Sequence, residues 1–385
     1  MQNLPWKKIA IGVVAVGIVV SGIFYFTESR GKKPTDNFIN PAFSEYITSY
    51  TAGVISSGST VRIILAKDAV DSTLVGQESS VNLFSFSPSL KGKTRWLDKR
   101  TVEFVAESRM TSGQIFEASF QLSKLLTVSK DLAEFPFSFQ IMPQNFEISI
   151  DNIKPYVKTE LTRQRIEGIL NTADFAEDKT VESLLHAEQE TKNLKITWTH
   201  TAEGKQHMFV VEDVARKEVA SKVNIAVDGT NLGVTTKEKK EIEIPALGDF
   251  KIVNAKVVQN PNQYVVLQFS DPIKEKQELR GLISIEEDRG LTLEFEIHDN
   301  EIWLYPPVRQ SGNKTIYVEE GVRNINDYRM KVASSTAVTF EQLKPSVRFV
   351  GNGSILPSTD GLILPFEAVN LKAIDLTVTR IFENN

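Results

Sequence analysis

The side chains best suited to chemistry in this chain are four histidines, His186, His200, His207 and His298. His200 and His207 flank a predicted turn at Ala202-Glu203-Gly204. That spacing would set two imidazoles opposite each other across a hairpin and offer two nitrogens to a metal. The sequence places no third ligand near them, so both read as solvent-facing hairpin residues and no metal site is assigned. His298 leads into Asp299-Asn300 at another predicted turn tip, where Asp and Asn favour local hydrogen bonds. That role accounts for the three residues without catalysis. Asp68, Asp174 and Asp271 each follow an apolar run and invite a calcium reading, since calcium takes clustered oxygens. Each is one carboxylate at a strand end, however, without a dense run of further ligands, and a structural turn cap explains it. Trp96, Trp198 and Trp303 recur at similar places and are expected to pack in cores rather than stack on sugars.

No nucleophile elbow, phosphate-binding loop, Rossmann glycine pattern or His-Glu-x-x-His sequence occurs. There is no cysteine, which excludes disulfides, thiol nucleophiles, zinc–thiolate sites and cysteine lipidation. No catalytic or cofactor-binding residue is therefore assigned, no cofactor is expected, and the chain is read as a non-enzyme. Net charge is only −5, with no long basic run beyond the N-terminus, so nucleic acid is not an expected partner.

These residues sit on elements with a period of two. Phe116, Ala118, Phe120 and Leu122 alternate with Glu117, Ser119 and Gln121, the pattern of a half-buried strand. The stretch from Val61 to Leu122 has a definite order. An apolar run ends on Asp68, two short alternating segments flank Asp98-Lys99-Arg100, and a break at Ser112-Gly113 precedes a further strand. The order recurs from Arg165 to Val227 and again from Tyr264 to Val318. The leading aspartates lie about one Ig-sized domain apart, and self-similarity on that scale means an array of small domains. At 385 residues, with 41% hydrophobic and 24% charged residues, the chain is long enough for three or more folded domains.

Ahead of the array, Ile9 to Phe26 is 18 residues without a charge, flanked by Lys7 and Lys8 and then by Glu28, Arg30, Lys32 and Lys33. Its apolar side chains include Ile9, Val13, Val16, Ile18, Val20, Ile23 and Phe26. The length reaches the threshold for a membrane-spanning helix and exceeds the ~7–15 residues usual in a cleaved signal's apolar region. An uncleaved signal anchor is therefore preferred to a cleaved signal ending near Val20-Ser21-Gly22. The N-terminus is placed inside, with the remainder in the periplasm or outside the cell. Lys and Arg are nearly balanced across the span, but long domains cross largely regardless of charge.

The expected class is all-β: tandem Ig-like, macroglobulin-type β-sandwich domains behind an N-terminal transmembrane helix. The expected divisions are 1–36 for the anchor and tether, 37–145 for a first module, and 146–249 for a second carrying a short helix within Asp178 to Asn193. A third module follows over 250–343, and 344–385 would begin a further domain that is cut short. Tyr46 to Val54 is expected as one lead-in strand. Leu132 to Ile141 should lie at a sheet edge because of Pro136, and Lys237 to Lys240 with Pro245 to Gly248 reads as a boundary.

Three stretches carry a resemblance. Asn40-Pro41-Ala42-Phe43-Ser44-Glu45-Tyr46-Ile47 through Thr51-Ala52-Gly53-Val54-Ile55-Ser56 into Val61-Arg62-Ile63-Ile64-Leu65 resembles the N-terminal part of large bacterial alpha-2-macroglobulin family proteins, particularly the forms in Bacteroidetes. Trp96 to Phe104 leading to Ser112-Gly113, and Leu343 to Phe349 through Ile381 to Asn385, are similar to it as well. The resemblance implies a string of macroglobulin domains in the cell envelope, with attacking proteases as the targets of the intact protein. In that family a protease cuts a bait region and is trapped, and many members add a Cys-x-Glu-Gln thioester. Without cysteine this chain has neither that thioester nor a lipobox, and no functional residue of the family carries over to it. The chain thus reads as the membrane-anchored stalk of an endopeptidase inhibitor. An adhesin or surface stalk of generic Ig-like repeats, and the accessory region of a distal hydrolase, remain alternatives.

Overall fold

The computed structural model describes residues 40–342, 345–349, 366–369, 371, 373 and 374. The Ile9 to Phe26 anchor lies outside the described residues. Among the described residues no helix is long and apolar enough to cross a membrane. The chain divides between Gly248 and Asp249 into two compact units.

In the first unit, alternation of large apolar residues with polar ones builds two sandwiches. The first has one sheet ordered Ile47–Tyr50, Val61–Leu65, Thr101–Ala106, Gly92–Trp96. The other is ordered Gly53–Ile55, Phe135–Ile141, Ile115–Phe120, Phe84–Ser87. Phe135, Phe137, Phe139 and Ile141 share a face because side chains two apart point the same way. They join Val61, Ile63, Leu65, Val102 and Phe104 of the opposite sheet in one buried cluster.

The expected single lead-in strand is two strands. Gly53, at φ 73°, turns the chain out of one sheet and into the other, a conformation that glycine adopts without strain. There Gly53–Ile55 pairs in parallel with Phe139 to Ile141. Phe135–Ile141 is consequently an inner strand, not an edge. Pro136 is tolerated because it lies short of Phe139, where the parallel partner begins, so its missing N–H faces no strand on that side.

The second sandwich is built on a long hairpin, Phe146–Val157 with Glu160–Thr172, continued by Gln206–Ala215 and Ile196–His200. Its facing sheet is ordered Lys192–Asn193, Leu185–Gln189, Ser221–Asp228, Lys237–Ile244. A Cβ on Gly168 would lie 2.3 Å from Phe209 Cζ, so glycine is what lets that ring lie across the Glu160–Thr172 strand. The expected helix shrinks to the single turn Asp178–Glu182. Beyond it, Leu185, Ala187 and Gln189 are buried at every second position, the period of a strand. The charged run at Lys237 is likewise a strand, with Ile242 and Ile244 packed on the core. It lies at the sheet edge, where alternating Lys and Glu discourage pairing with another chain.

The second unit contains a sandwich with one sheet ordered Ile252–Val258, Tyr264–Phe269, Glu301–Tyr305, Glu294–His298. The facing sheet is Ile283–Ile285, Gly312–Val318, Ser334–Phe340. Counting strands along the chain, the sheets read first-second-fifth-fourth and third-sixth-seventh, the constant-type immunoglobulin order. The two sandwiches of the first unit keep this order with one short strand added to each. Further on, Ser346–Phe349 pairs antiparallel with Phe366–Val369.

Of the three tryptophans expected in cores, Trp96 is buried and Trp198 packs at the margin of the second core. Trp303 departs from the expectation. Ile302 and Leu304 fill the inward positions of their strand, so the residue between them faces out and is only half-buried. Ile302→Ala should therefore destabilise the chain by about 2–5 kcal/mol through cavity formation. Trp303→Ala should cost only about 1–2 kcal/mol, the scale of an aromatic pair or two. Denaturant unfolding of both variants checks the pair, and equal losses would put Trp303 back in a core.

Candidate functional site

The leading aspartate follows the third strand of the first sandwich and the second strand of the other two, and the three do different work. Asp68 is exposed, 3.8 Å from Lys99 Nζ and 3.9 Å from Arg100 Nε. Asp271 is buried and accepts from Asn324 Nδ2 at 2.7 Å. Asp174 is buried as well, and its partners belong to the neighbouring sandwich. Ser56 Oγ donates to Asp174 Oδ1 at 2.6 Å, and the Ser57 N–H donates to Oδ2 at 2.6 Å. The Phe175 N–H adds a third bond at 2.8 Å, and Lys205 Nζ lies 3.8 Å away.

The short connector between the sandwiches closes this joint. Gln144 Nε2 donates to the carbonyls of Asp174 and Phe175 at 3.0 and 3.1 Å, and its Oε1 accepts from the Asp174 N–H at 3.0 Å. The Arg109 guanidinium carbon sits 3.5 Å from the centre of the Phe175 ring, a cation–π contact. Burial pushes the Asp174 pKa up, but the donors from Ser56, Ser57 and Phe175 outweigh it and hold the group below the ordinary carboxylate range.

Immediately beyond the joint the structure assembles a cluster that sequence spacing leaves incomplete. His200 and His207 pair across their hairpin with Nδ1 atoms 2.8 Å apart. The helical turn Asp178–Glu182 brings Asp178 Oδ1 to 3.7 Å from His200 Nδ1, and Glu182 Oε1 to 3.3 Å from His200 Nε2. The third candidate ligand absent from the sequence reading is thus Asp178, 22 residues before His200 in the chain and delivered by tertiary folding. His207 is fully buried, not solvent-facing. Burial, and then the neighbouring His200, hold its pKa below the ordinary imidazole range and favour the neutral ring.

In the second unit, Trp303 stacks on Tyr264 at 4.9 Å between centroids and contacts His298 at 4.1 Å. Its Nε1–H donates to Glu301 Oε2 at 2.8 Å. The rings cover one another's faces, so the cluster is a self-packed outer layer rather than an open stacking platform. His298 ends its strand beside Asp299, at φ 58°, and Asn300, whose Nδ2 donates to the Phe269 carbonyl at 2.8 Å. The turn role given to these residues by the sequence is the one they fill.

Comparison with known proteins adds one relative. Over 137 residues the chain is 28% identical to alpha-2-macroglobulin of Xylella fastidiosa (strain 9a5c). The match covers 35% of this chain and 8% of the relative, so the chain spans a small part of that protein's length. It supports the family resemblance without resolving a subgroup. No family model matches. Among solved structures, domains 4–9 of the surface layer protein SbsC align at a TM-score of 0.30 and 11% identity, covering 79% of this chain and 49% of that one. An L,D-transpeptidase from Mycobacterium tuberculosis H37Rv aligns at 0.19 and 11% identity, covering 47% and 75%. Scores this low carry no functional argument.

The joint makes a prediction with a definite pH sign. A carboxylate whose folded pKa is depressed contributes stability that is present above its unfolded value and lost as pH falls through the folded one. Asp174→Asn should destabilise the first unit by about 1.5–3 kcal/mol near neutrality, the scale of a hydrogen bond to a charged group. The gap to wild type should close as pH falls below the ordinary aspartate value of 3.8. Thermal melts of both proteins across that range check it, and a gap that stays constant would show that the charge is irrelevant.

Proposed function

We propose that this chain is the N-terminal stalk of an alpha-2-macroglobulin-like endopeptidase inhibitor of the kind found in Bacteroidetes. On this reading it is anchored through Ile9 to Phe26, with its sandwiches in the periplasm or at the cell exterior. The observation that carries the reading is the 137-residue match to a bacterial alpha-2-macroglobulin. Three sandwiches of one strand order in series are consistent with it, since macroglobulin-type proteins are strings of β-sandwich domains.

The stalk's role is mechanical. It holds the trapping parts of the intact protein away from the membrane and performs no chemistry itself. The residues support that division. Glu103 is fully buried, and burial raises its pKa, but Arg95, Arg62 and Thr60 donate to it at 2.7, 2.9 and 2.9 Å and bring the net value below the ordinary range. Glu103 and Asp174 are held as anions by structural donors, whereas a general acid must keep its proton near neutral pH.

Two measurements test the proposal. A phosphatase that is active only outside the cytoplasm, fused after residue 145, should be active, and activity confined to a cytoplasmic reporter would defeat the anchoring. The intact gene product should block cleavage of protein substrates by several unrelated endopeptidases while leaving small peptides cleaved, and the 385-residue chain alone should do neither. An intact product without any effect on proteases would sink the inhibitor reading.

A further inference from the structure

We propose that Asp178, His200 and His207 form a divalent-metal site, best suited to zinc, with Glu182 as the carboxylate that orients His200. This rests on the second sandwich alone and is independent of the stalk reading. One ligand atom from each of the three residues falls within a sphere where all lie within 4.8 Å of one another. Two imidazoles and one carboxylate are a donor set that zinc takes readily, and three protein ligands leave a fourth position for water.

The arrangement around His200 is what a metal ligand needs. Its Nδ1 faces His207 Nδ1 and Asp178, and its Nε2 is 3.3 Å from Glu182 Oε1. A metal-bound histidine ordinarily donates its other ring N–H to a carboxylate in this way, which fixes both tautomer and orientation. Trp198 stacks on the ring at 5.8 Å and 7° and so limits its rotation.

Without metal, a fully buried ring and a partly buried one face each other nitrogen to nitrogen. The Nδ1 atoms at 2.8 Å can share only one proton between them. A cation would take both facing lone pairs at once. Ligand atoms around a tetrahedral zinc lie about 3.3 Å apart, so the two Nδ1 atoms need separate by only about 0.5 Å. Asp178 is exposed, which gives an ion a route from solvent.

The position says what the metal would do. The Ala176 N–H donates to the Gly204 carbonyl at 2.8 Å, so the corner carrying Asp174 already leans on the hairpin carrying His200 and His207. Phe175 packs so closely on Gly204 that a Cβ there would lie 2.4 Å from the ring. A metal shared by Asp178 and the two histidines would clamp corner to hairpin directly behind the joint.

The test uses the full chain without a histidine tag, stripped with a chelator and titrated with zinc chloride by calorimetry. One equivalent should bind, and the melting temperature should rise and fall back when chelator is restored. Cobalt in place of zinc should give the visible absorption of a tetrahedral nitrogen–oxygen site. Asp178→Asn and His200→Gln should each weaken binding more than tenfold and abolish that spectrum. Glu182→Gln should weaken it about 10–100-fold as an outer partner. Asp178 is exposed, so its variant should melt like the wild type without metal and separates ligation from folding. Absence of stoichiometric binding, or binding that survives both Asp178→Asn and His200→Gln, would overturn the site.

Discussion

A carboxylate held out of water is the constraint on which the first unit depends. Asp174 has lost its hydration, and an unpaired buried charge costs several kcal/mol, so its donors must stay in place for the unit to persist. Those donors are supplied by Ser56 and Ser57 in one sandwich and Phe175 in the other, with Gln144 of the connector bonded to the same corner. Exposed pairs such as Lys93 with Glu78 and Lys222 with Glu241 have good distances, but water and salt screen them and they add little. The buried group therefore decides the relation of the two sandwiches, and the surface pairs do not.

Much of the fold is legible in the sequence because burial on one face of a sheet imposes a period of two. Tyr264–Phe269 is the strand that its apolar run predicts, and the turn at Asp299-Asn300 joins the two strands expected to flank it. The misreadings share a cause, which is that local pattern does not state its partner. Val181, Leu184 and Leu185 satisfy a helical spacing, but the facing Ser221–Asp228 strand captures Leu185–Gln189 as sheet. Lys237–Ile244 looks like a solvated charge run until its lone neighbour, Ser221–Asp228, gives it an edge. Pro136 signals a missing ladder bond correctly, yet one strand can be an edge over part of its length and covered over the rest.

The candidate sites were less legible, for a related reason. A cross-strand pair such as His200 and His207 follows from hairpin register, which sequence supplies. A third ligand from another element follows from packing, which it does not. Asp178 and Glu182, four apart on one helical turn, were the available signal, since that spacing puts both carboxylates on one side. Nothing local says which hairpin the turn will meet. Ser57 is less visible still, because it donates through its backbone N–H, the same donor in every residue. Trp303 departs from the core expectation because its own neighbours, Ile302 and Leu304, claim the inward positions.

These features divide the mechanical properties of the chain unevenly. The first unit joins its sandwiches through a short connector, a buried anion and a cation–π contact, each of which fixes direction as well as proximity. A hydrogen bond to a buried carboxylate loses most of its strength with a small displacement, so such a joint resists bending until it breaks. An apolar contact of similar strength would slide instead, since dispersion and hydrophobic burial have no preferred direction. For a chain proposed to hold a trap away from a membrane, that distinction matters more than total stability. A joint that yields gradually would transmit little of a downstream rearrangement, whereas one that stays rigid lets the moving parts work against a fixed base. The placement of the Asp174 carboxylate and its donors at the connector is what that demand predicts.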